Sequence, residues 1–448
     1  MNLTKNMFFL LTILSCSSFS QSSNQSLDAV IEPQIANGNF RSVIIGSYEE
    51  ASVEEFYSYG GIAANDSSKP TSKNIFEIGS LSKVFTGLIL SSLHLDGTLT
   101  INDKVSSVLK SLKGKPAGNI TLLELATHMS GLARIPSNLT IVDMKDPYAK
   151  YTEKNLLSYL KSLKEIKKPK LFSWKNYSNT GFGLLGYILQ KKTNLTYEEL
   201  VKKHITNPLG MKNTYVNVPE DKIKLFVPGH NELLEETSYW LLLNSMNGAG
   251  ALKSTASDLM LFLKANISPK NTSIEDVLRF SQKPRYVDGN KGIGIAWGLK
   301  LENTKVQGIG HNGGTGGFVS DFQFDVNKNK GFMYLTNTSN TPQCVAAILI
   351  TSEECMPKFS RPVDSILLDK YVGTYTNKKT GLTFVLTKHF NQLVYSLPGQ
   401  EMGKTTSIND IEFSIKGIAF IRFNQGEDKF EFEQNKAKLI FIKTQTAE

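Results

Sequence analysis

Strand-like segments lie at both ends of a largely helical stretch, and this order restricts the fold more than any other feature. Two strands are predicted at 42–48 and 53–59, and further strands return between residues 296 and 336. Helical and loop patterns dominate the sequence between them, so the early and late strands must build one sheet from distant segments. This order predicts an α+β or mixed fold and argues against alternating βα units.

The strongest helical pattern runs from Leu81 to Leu95, where apolar residues occur on nearly every face. Such a pattern is typical of a helix buried on all sides, and Gly97 supplies a stop signal. The other predicted helices lie near residue 27 and at 155–163, 181–190 and 257–265.

The composition changes after a linker that contains Pro357 and Pro362. Beyond it, short strand-like runs are separated mostly by Gly, Asn or Asp turn signals, as in an antiparallel meander or small barrel. The predicted runs are 382–387, 392–397, 411–415, 418–423, 429–433 and 438–442. No recognisable catalytic cluster lies in this region.

The N-terminus has the features of a secretory signal. Lys5 precedes an apolar run at 7–14, small residues follow, and cleavage is predicted after Ser20. A lipoprotein signal with lipidation at Cys16 is the alternative, and only that alternative would attach the chain to a membrane. Both predict an exported, periplasmic protein. The predicted divisions are a signal peptide at 1–20, a catalytic domain at 21–355 and a β-rich domain at 356–448.

Composition excludes several other classes. The 50 Lys and Arg against 41 Asp and Glu are spread along the chain, which predicts a solvated surface and no nucleic-acid partner. The six His are scattered, so neither a metal site nor any other cofactor is predicted. After cleavage Cys344 and Cys355 would remain, and either a disulfide or two free thiols is compatible with the sequence.

The segment 76–83, Phe-Glu-Ile-Gly-Ser-Leu-Ser-Lys, carries the most informative chemistry. Ser80 stands at the start of the buried helix, close to free backbone N–H groups, and Lys83 follows on the same helical face. A desolvated lysine loses basicity and can accept a serine proton. The alternative is a capping serine with a surface lysine, but apolar Val84 and Phe85 beside Lys83 favour burial.

Two other segments add candidate groups. Tyr177 and Asn179 precede an apolar helix, where a hydroxyl could relay protons and an amide could hold a substrate amide. The other segment follows a predicted strand and consists of His311, Asn312, Gly313 and Gly314. Its glycines would let the backbone approach a ligand closely. Either segment alone is a weak signal.

In order and spacing, the three segments resemble the penicillin-recognising serine enzymes, specifically the class C β-lactamases with their DD-peptidase and esterase relatives. Segment 76–83 resembles the family's nucleophile signature over its full length, and 125–132, 208–211 and 248–258 are similar to other family landmarks. The resemblance covers roughly residues 27 to 340. It implies a β-lactamase/transpeptidase-like antiparallel sheet flanked by a mainly helical region. The tail resembles the lipocalin-like β domain of some of these hydrolases.

The resemblance also implies acyl transfer. Ser80 would attack a carbonyl while Lys83 and Tyr177 share the base and acid roles. The backbone N–H groups of Ser80 and Gly314 would form the oxyanion hole, and Asn179 would orient the substrate amide.

His311 departs from the family pattern, because β-lactamases of this class usually carry lysine at the start of Lys-Thr-Gly. Here His311, Asn312 and Gly313 would bind substrate, with His311 supporting its carboxylate and the Tyr177 hydroxyl. An ordinary histidine pKa of about 6.5 predicts a charge that depends on pH. The middle residue of Tyr-Ser-Asn, usually alanine in these enzymes, is a second departure.

Three functions follow. The leading prediction is a serine β-lactamase of class C type, which hydrolyses the β-lactam amide through a Ser80 acyl-enzyme. A D-Ala-D-Ala carboxypeptidase or endopeptidase, or an esterase on the same scaffold, is the alternative. A catalytically silent penicillin- or muropeptide-binding protein is the third, although retention of Ser80, Lys83 and Tyr177 argues against it. The expected partner is a small-molecule β-lactam or a D-Ala-D-Ala peptide.

Overall fold

The computed structural model describes residues 26–445 except 51–53, 144, 244, 356, 358–362, 391, 399–401, 416–417, 425–427 and 435–436. The predicted signal peptide at 1–20, with Cys16, lies outside the described residues. None of the described helices has the length and apolar character needed to cross a membrane.

The first part of the chain is built on one large sheet. Its strands and the shorter ones near it are β1 (Ser42–Glu49), β2 (Glu55–Gly60), β3 (Ile75–Glu77), β4 (Gly229–His230), β5 (Glu236–Thr237), β6 (Lys253–Thr255), β7 (Tyr286–Asp288), β8 (Lys291–Ile293), β9 (Gly298–Glu302), β10 (Lys305–Gly314), β11 (Val319–Asp325) and β12 (Lys330–Thr336). Over the described residues the large sheet has the order β2-β1-β12-β11-β10-β9-β8-β7.

Every neighbouring pair in this sheet is antiparallel. β1 pairs with β12 so that Val43 lies opposite Thr336, which joins the early strands to the late ones. The α+β prediction is therefore confirmed. The short strands β7 and β8 were not predicted, and they extend the sheet at one edge.

Helices cover both faces of the sheet. Those within the described residues are α1 (Leu27–Ala36), α2 (Ser82–Leu95), α3 (Val105–Val108), α4 (Leu122–Ala126), α5 (Glu153–Ser162), α6 (Asn179–Thr193), α7 (Tyr197–Val201), α8 (Asn207–Leu209), α9 (Asn247–Gly250), α10 (Ala256–Ile267), α11 (Glu275–Gln282) and α12 (Ser365–Tyr371). Alternation along β1 separates the two faces: Val43 and Ile45 belong to a small core with α1, whereas Ile44 belongs to the main core with α2 and α10.

α2 is the buried helix that the sequence predicts. Eleven of its fourteen residues are buried, including the polar Ser82, Lys83 and Thr86. It follows a 3-10 turn at Gly79–Leu81 and packs in the main core. An all-round apolar pattern places this helix in the interior, and any polar group on it is carried inside with it.

The C-terminal region forms a second antiparallel sheet. Its strands are β13 (Gly373–Thr376), β14 (Thr383–His389), β15 (Gln392–Ser396), β16 (Gly403–Lys404), β17 (Thr406–Ser407), β18 (Glu412–Ile415), β19 (Ala419–Phe423), β20 (Lys429–Gln434) and β21 (Ala437–Gln445). The sheet begins at β16 and ends at β17, and only Thr405 separates these two strands in the chain. The Thr405 N–H donates to the Leu393 carbonyl at 2.9 Å, so the sheet curls into a nearly closed barrel.

Aromatic side chains fill the interior of this barrel. Phe384, Phe430 and Phe441 lie in mutual contact, with ring centres 5.0 to 5.6 Å apart. This core is separate from the core around α2. The division at 355/356 itself stays a prediction.

The barrel contacts the first region at the turn after α1. The Lys404 ammonium donates to the Gly38 carbonyl at 2.7 Å, and the Gln392 amide donates to the Asn39 side chain at 2.6 Å. We call this the α1-turn contact.

A disulfide joins Cys344 and Cys355, the pair for which the sequence left bridged and free states open. The bridge closes a short loop that follows β12, the last strand of the large sheet. Cys344 also packs against the small core beside α1.

Candidate active site

Ser80 lies in the 3-10 turn that leads into α2. β3 positions this turn by pairing with β6, and the Ile78 N–H donates to the Leu252 carbonyl at 3.0 Å. The Ser82 hydroxyl accepts from the Leu252 N–H, also at 3.0 Å, which holds the first helical residue against the same segment. Ser80 therefore lies at a fixed point between the large sheet and the helical region.

Lys83 is fully buried one turn further along. Its Nζ lies 3.0 Å from Ser80 Oγ and 2.5 Å from the Ala249 carbonyl oxygen. Burial lowers the pKa of Lys83 well below its usual 10.5, and the positive charge of Arg134 lowers this pKa further. A neutral amine at this position can accept the Ser80 proton.

The Tyr177 ring covers the same lysine, with Nζ 5.0 Å from the ring centre. Burial raises the pKa of Tyr177 to about 12, although the hydrogen bond with Ser80 and the charge of Arg134 both act in the opposite direction. Tyr177 is therefore a protonated phenol near neutral pH. It can donate a proton but is a poor base, which separates its role from that of Lys83.

Asn179 is the first residue of α6, which Ser178 caps by accepting the Gly181 N–H at 2.9 Å. The Asn179 Nδ2 donates to the Tyr148 hydroxyl at 3.4 Å. Its Oδ1 is buried and has no hydrogen-bond partner among the described residues. A buried carbonyl oxygen without a partner is costly unless a ligand supplies a donor, and a substrate amide N–H would do so.

β10 forms the opposite wall of the site, where His311 is buried and Asn312 is exposed. The His311 Nδ1–H donates to the Asn312 carbonyl at 2.6 Å, which leaves Nε2 without a partner in the described chain. Burial lowers the pKa of His311 to about 3, with a further contribution from Lys83. The prediction that the charge of His311 changes with pH is therefore wrong, because desolvation keeps this imidazole neutral near physiological pH.

Glycines bring β10 against the nucleophile turn. Gly79 has φ +48, and a Cβ placed on it would lie 2.6 Å from the Gly314 nitrogen. A Cβ on Gly313 would lie 2.0 Å from the Ile78 carbonyl oxygen and 2.9 Å from the Ser80 nitrogen. The amide groups of Ser80 and Gly314 thus meet along one seam, the arrangement that an oxyanion hole needs. The sequence suggested that this glycine lets a ligand approach the backbone. The structure shows that Gly313 is also needed for close packing against Ile78.

The structure thus gathers the predicted residues around Ser80, although it gives the exposed Asn312 side chain no contact with this group. Sequence reasoning missed three nearby groups: Arg134, Tyr148 and His128. His128 has φ +58, packs its ring 4.3 Å from that of Tyr177 and accepts the Ser178 N–H at 3.0 Å through Nδ1. It belongs to segment 125–132, so the resemblance could have pointed to it.

No cluster of His, Cys, Asp and Glu suited to a metal ion occurs in the described part of the chain. The chemistry that the site offers rests on a serine hydroxyl beside a lysine amine of lowered pKa, a protonated phenol and two backbone amides. This is the equipment of a serine acyl transferase or hydrolase.

Comparison with known proteins gives the family. The sequence profile of the Beta-lactamase family matches residues 27–352. The chain belongs to the Beta-lactamase family, as the nucleophile signature predicted.

Named relatives fall into two groups. A β-lactamase of Providencia stuartii is 28% identical over 244 residues, which are 54% of this chain and 60% of that protein. Penicillin-binding protein 4* of Bacillus subtilis (strain 168) is 24% identical over 457 aligned positions, covering 91% of this chain and 95% of its own. The first match spans less than two thirds of its relative, whereas the second spans nearly all of it.

Solved structures agree on the fold. A class C β-lactamase from Rhodobacter sphaeroides superposes with a TM-score of 0.62 at 22% identity, over 72% of this chain and 97% of that one. A β-lactamase/D-alanine carboxypeptidase from Pseudomonas syringae superposes with a TM-score of 0.64 at 22% identity, over 73% of this chain and 98% of that one. The predicted architecture of antiparallel sheet and helical region is confirmed.

Proposed function

We propose that this protein is a serine β-lactamase of class C type that works through a Ser80 acyl-enzyme. One observation carries the proposal: a fully buried lysine amine lies 3.0 Å from the Ser80 hydroxyl, in a site where burial favours its neutral form. Membership of the Beta-lactamase family and the β-lactamase relatives support the same reaction.

In the first half-reaction, the Ser80 oxygen attacks the β-lactam carbonyl while Lys83 takes the hydroxyl proton. The amides of Ser80 and Gly314 stabilise the negative charge on the carbonyl oxygen, a contribution of about 2.7–4 kcal/mol per donor in related sites. The C–N bond of the ring then breaks, and the leaving nitrogen receives a proton from Tyr177. Lys83 returns its proton to Tyr177 and so regenerates the neutral amine.

In the second half-reaction, water attacks the Ser80 ester and the ester C–O bond breaks. One proton of the water reaches the Ser80 oxygen through Lys83 and Tyr177, and the carboxylic acid product leaves. Asn179 holds the amide of the acyl group through its unpartnered Oδ1. The rate of this step separates a β-lactamase from an enzyme that stays acylated.

Two observations favour the second candidate, a D-Ala-D-Ala carboxypeptidase or endopeptidase. His311 is neutral and buried where the family's β-lactamases usually carry lysine, so this wall attracts a substrate carboxylate less strongly. The Bacillus subtilis relative, named as a penicillin-binding protein, covers nearly the whole chain. Both candidates share the acylation chemistry above.

The experiment gives the purified mature protein a chromogenic cephalosporin and a D-Ala-D-Ala peptide, with Ser80→Ala as control. Fast cephalosporin turnover that is absent in Ser80→Ala supports the β-lactamase. A stable acyl-enzyme, seen as added mass on Ser80, together with peptide cleavage supports the peptidase. Stable acylation without turnover of either substrate supports a silent penicillin-binding protein. If neither compound acylates Ser80, the proposed mechanism is wrong.

We also propose that the protein is exported and acts in the periplasm, with a β-lactam or D-Ala-D-Ala peptide as its small-molecule partner. The disulfide between Cys344 and Cys355 supports this location, because such bonds persist in oxidising compartments. Periplasmic fractionation of the full chain tests it. Release by osmotic shock is expected for soluble export, and retention in membranes that is lost in Cys16→Ser would indicate lipidation.

A further inference from the structure

Arg134 lies beside Tyr177 at the start of α6. Its backbone carbonyl accepts the N–H groups of Asn179 at 3.0 Å and Thr180 at 3.3 Å, which fixes this residue against the start of α6. Its guanidinium carbon lies 4.9 Å from the centre of the Tyr177 ring. The side chain is exposed, so the charge is open to solvent and to a ligand.

The charge of Arg134 acts on the whole site. Burial raises the pKa values of Tyr177 and Tyr148, and the charge of Arg134 opposes that rise; at Lys83, where burial lowers the pKa, the same charge lowers it further. The structure gives Arg134 no ion-pair partner among the described residues. A cation next to a reaction centre and without a carboxylate partner is available to an anionic substrate group.

The position of Arg134 decides which part of a substrate it can meet. Arg134, Asn179 and Tyr148 form one wall of the site, because their backbone and side-chain groups are linked through the start of α6. β10, with His311 and Gly314, forms the other wall. In the proposed function, Asn179 orients the amide of the acyl group, so Arg134 lies beside the acyl side of the substrate.

The charge distribution of the two walls is therefore uneven. The β10 wall carries a buried neutral imidazole at His311, whereas the α6 wall carries the exposed guanidinium of Arg134. A substrate whose negative charge lies on the acyl side would match this distribution better than one with a neutral acyl group.

We propose that Arg134 binds an anionic group on the acyl side of the substrate and so selects acyl groups that carry a carboxylate. This inference rests on the proposed function, since it assumes that Ser80 is acylated with the Asn179 wall on the acyl side. It names the substrate class of that site: acyl donors with an additional carboxylate on the acyl side chain.

The test compares two penicillins that differ by one group. Carbenicillin is benzylpenicillin with a carboxylate on the acyl side chain, so the leaving-group carboxylate is common to both. The quantity measured is the ratio of acylation kcat/KM for carbenicillin to that for benzylpenicillin. We expect Arg134→Gln to lower this ratio about tenfold, and Arg134→Lys to retain part of it because the point charge remains. Added salt should reduce the difference, since Arg134 is exposed.

Lys175 provides a matched control, because it is an exposed cation two residues before Tyr177. Lys175→Gln should change the ratio less than twofold. An unchanged ratio in Arg134→Gln, or an equal fall in Lys175→Gln, overturns the inference while leaving the proposed function intact. If the wild-type protein is acylated by neither penicillin, the proposed function fails and this inference fails with it. Using a ratio removes any general effect of the variants on Tyr177 or on folding.

Discussion

At the scale of single residues, burial shifts the pKa values of two titratable groups of the site in opposite directions. Lys83 and Tyr177 lie 5.0 Å apart, measured from Nζ to the ring centre; Lys83 is fully buried and Tyr177 is partly buried. Burial lowers the pKa of the lysine and raises that of the tyrosine to about 12, because it disfavours the charged form of each. The pair therefore combines an amine whose neutral, proton-accepting form is favoured by burial with a phenol that keeps its proton and can donate it.

This division predicts the pH dependence of acylation. Lys83 acts only when neutral, so the acylation rate should fall as pH drops below its pKa and level off above it. Because burial lowers that pKa, the midpoint should lie well below 10.5. Stopped-flow acylation across pH 5 to 10 measures it, and we expect Lys83→Met to lower the plateau about 10²–10⁴-fold.

Lys83→Arg is the matched variant for this prediction, because an arginine stays protonated over the whole range. It should be as slow as Lys83→Met. Near wild-type acylation by Lys83→Arg would mean that position 83 needs only a positive charge, which contradicts the assignment of a base.

At the scale of elements, the seam between β10 and the nucleophile turn determines whether the two oxyanion amides can meet. Gly79 has a left-handed φ of +48, and the Gly314 nitrogen lies 2.6 Å from where its Cβ would be. Any side chain at position 79 would therefore push the turn away from the strand. This contact is backbone to backbone, so no side-chain rotation can relieve it.

Gly79→Ala should lower acylation about 10²-fold, because the Gly314 amide would move away from the carbonyl oxygen. It should also reduce the free energy of unfolding by more than the roughly 1–2 kcal/mol expected for a residue with a Cβ at a left-handed position. Gly97→Ala is the control, since Gly97 has φ +79 and no atom lies within 4 Å of its added Cβ. That variant should lose about 1–2 kcal/mol of unfolding free energy while acylating normally. Normal acylation by Gly79→Ala would rule out the seam as the source of the oxyanion geometry.

At the scale of the whole molecule, the barrel and the catalytic region meet at the α1-turn contact. Lys404 is partly buried there, and burial lowers its pKa to about 8. Its hydrogen bond to the Gly38 carbonyl lies beside Phe390, whose ring is 3.0 Å from the position of a Gly38 Cβ. The contact therefore joins the two regions through one titratable group.

We expect this group to make stability depend on pH. Between about 8 and 10.5 the unfolded chain binds more protons at Lys404 than the folded chain, so stability should rise with pH across that window. Below about 8 both states are protonated, and the dependence should vanish. Urea unfolding followed by circular dichroism at pH 7 to 10 tests this. Lys404→Met should abolish the rise in unfolding free energy with pH, whereas Lys378→Met, at an exposed lysine, should retain that rise. Identical slopes in wild type and Lys404→Met would show that the contact does not titrate.

Short-range patterns determined much of the fold. The apolar run at 81–95 makes α2 because its neighbours in sequence suffice to form the helix, and alternation along 318–326 makes β11 in the same way. In the barrel, the six predicted runs overlap strands β14, β15 and β18 to β21. The strands that were missed are short: β7, β16 and β17 have two or three residues and β13 has four, and β13, β16 and β17 pair with longer neighbours.

The sequence by itself determined the family, the α+β class and the motifs that carry Ser80, Lys83 and Tyr177, because motif order and hydrophobic periodicity are local properties. Only the tertiary structure decided their chemical states. Lys83 loses basicity inside a core where it also meets the Ala249 carbonyl, 166 positions away. His311 is neutral because other elements exclude water from it, and Arg134 becomes the available cation because α6 holds its backbone. Apolar Val84 and Phe85 beside Lys83 indicated the burial of that lysine, but the burial of His311 and the charge of Arg134 beside the site depend on distant packing, which no local pattern predicts.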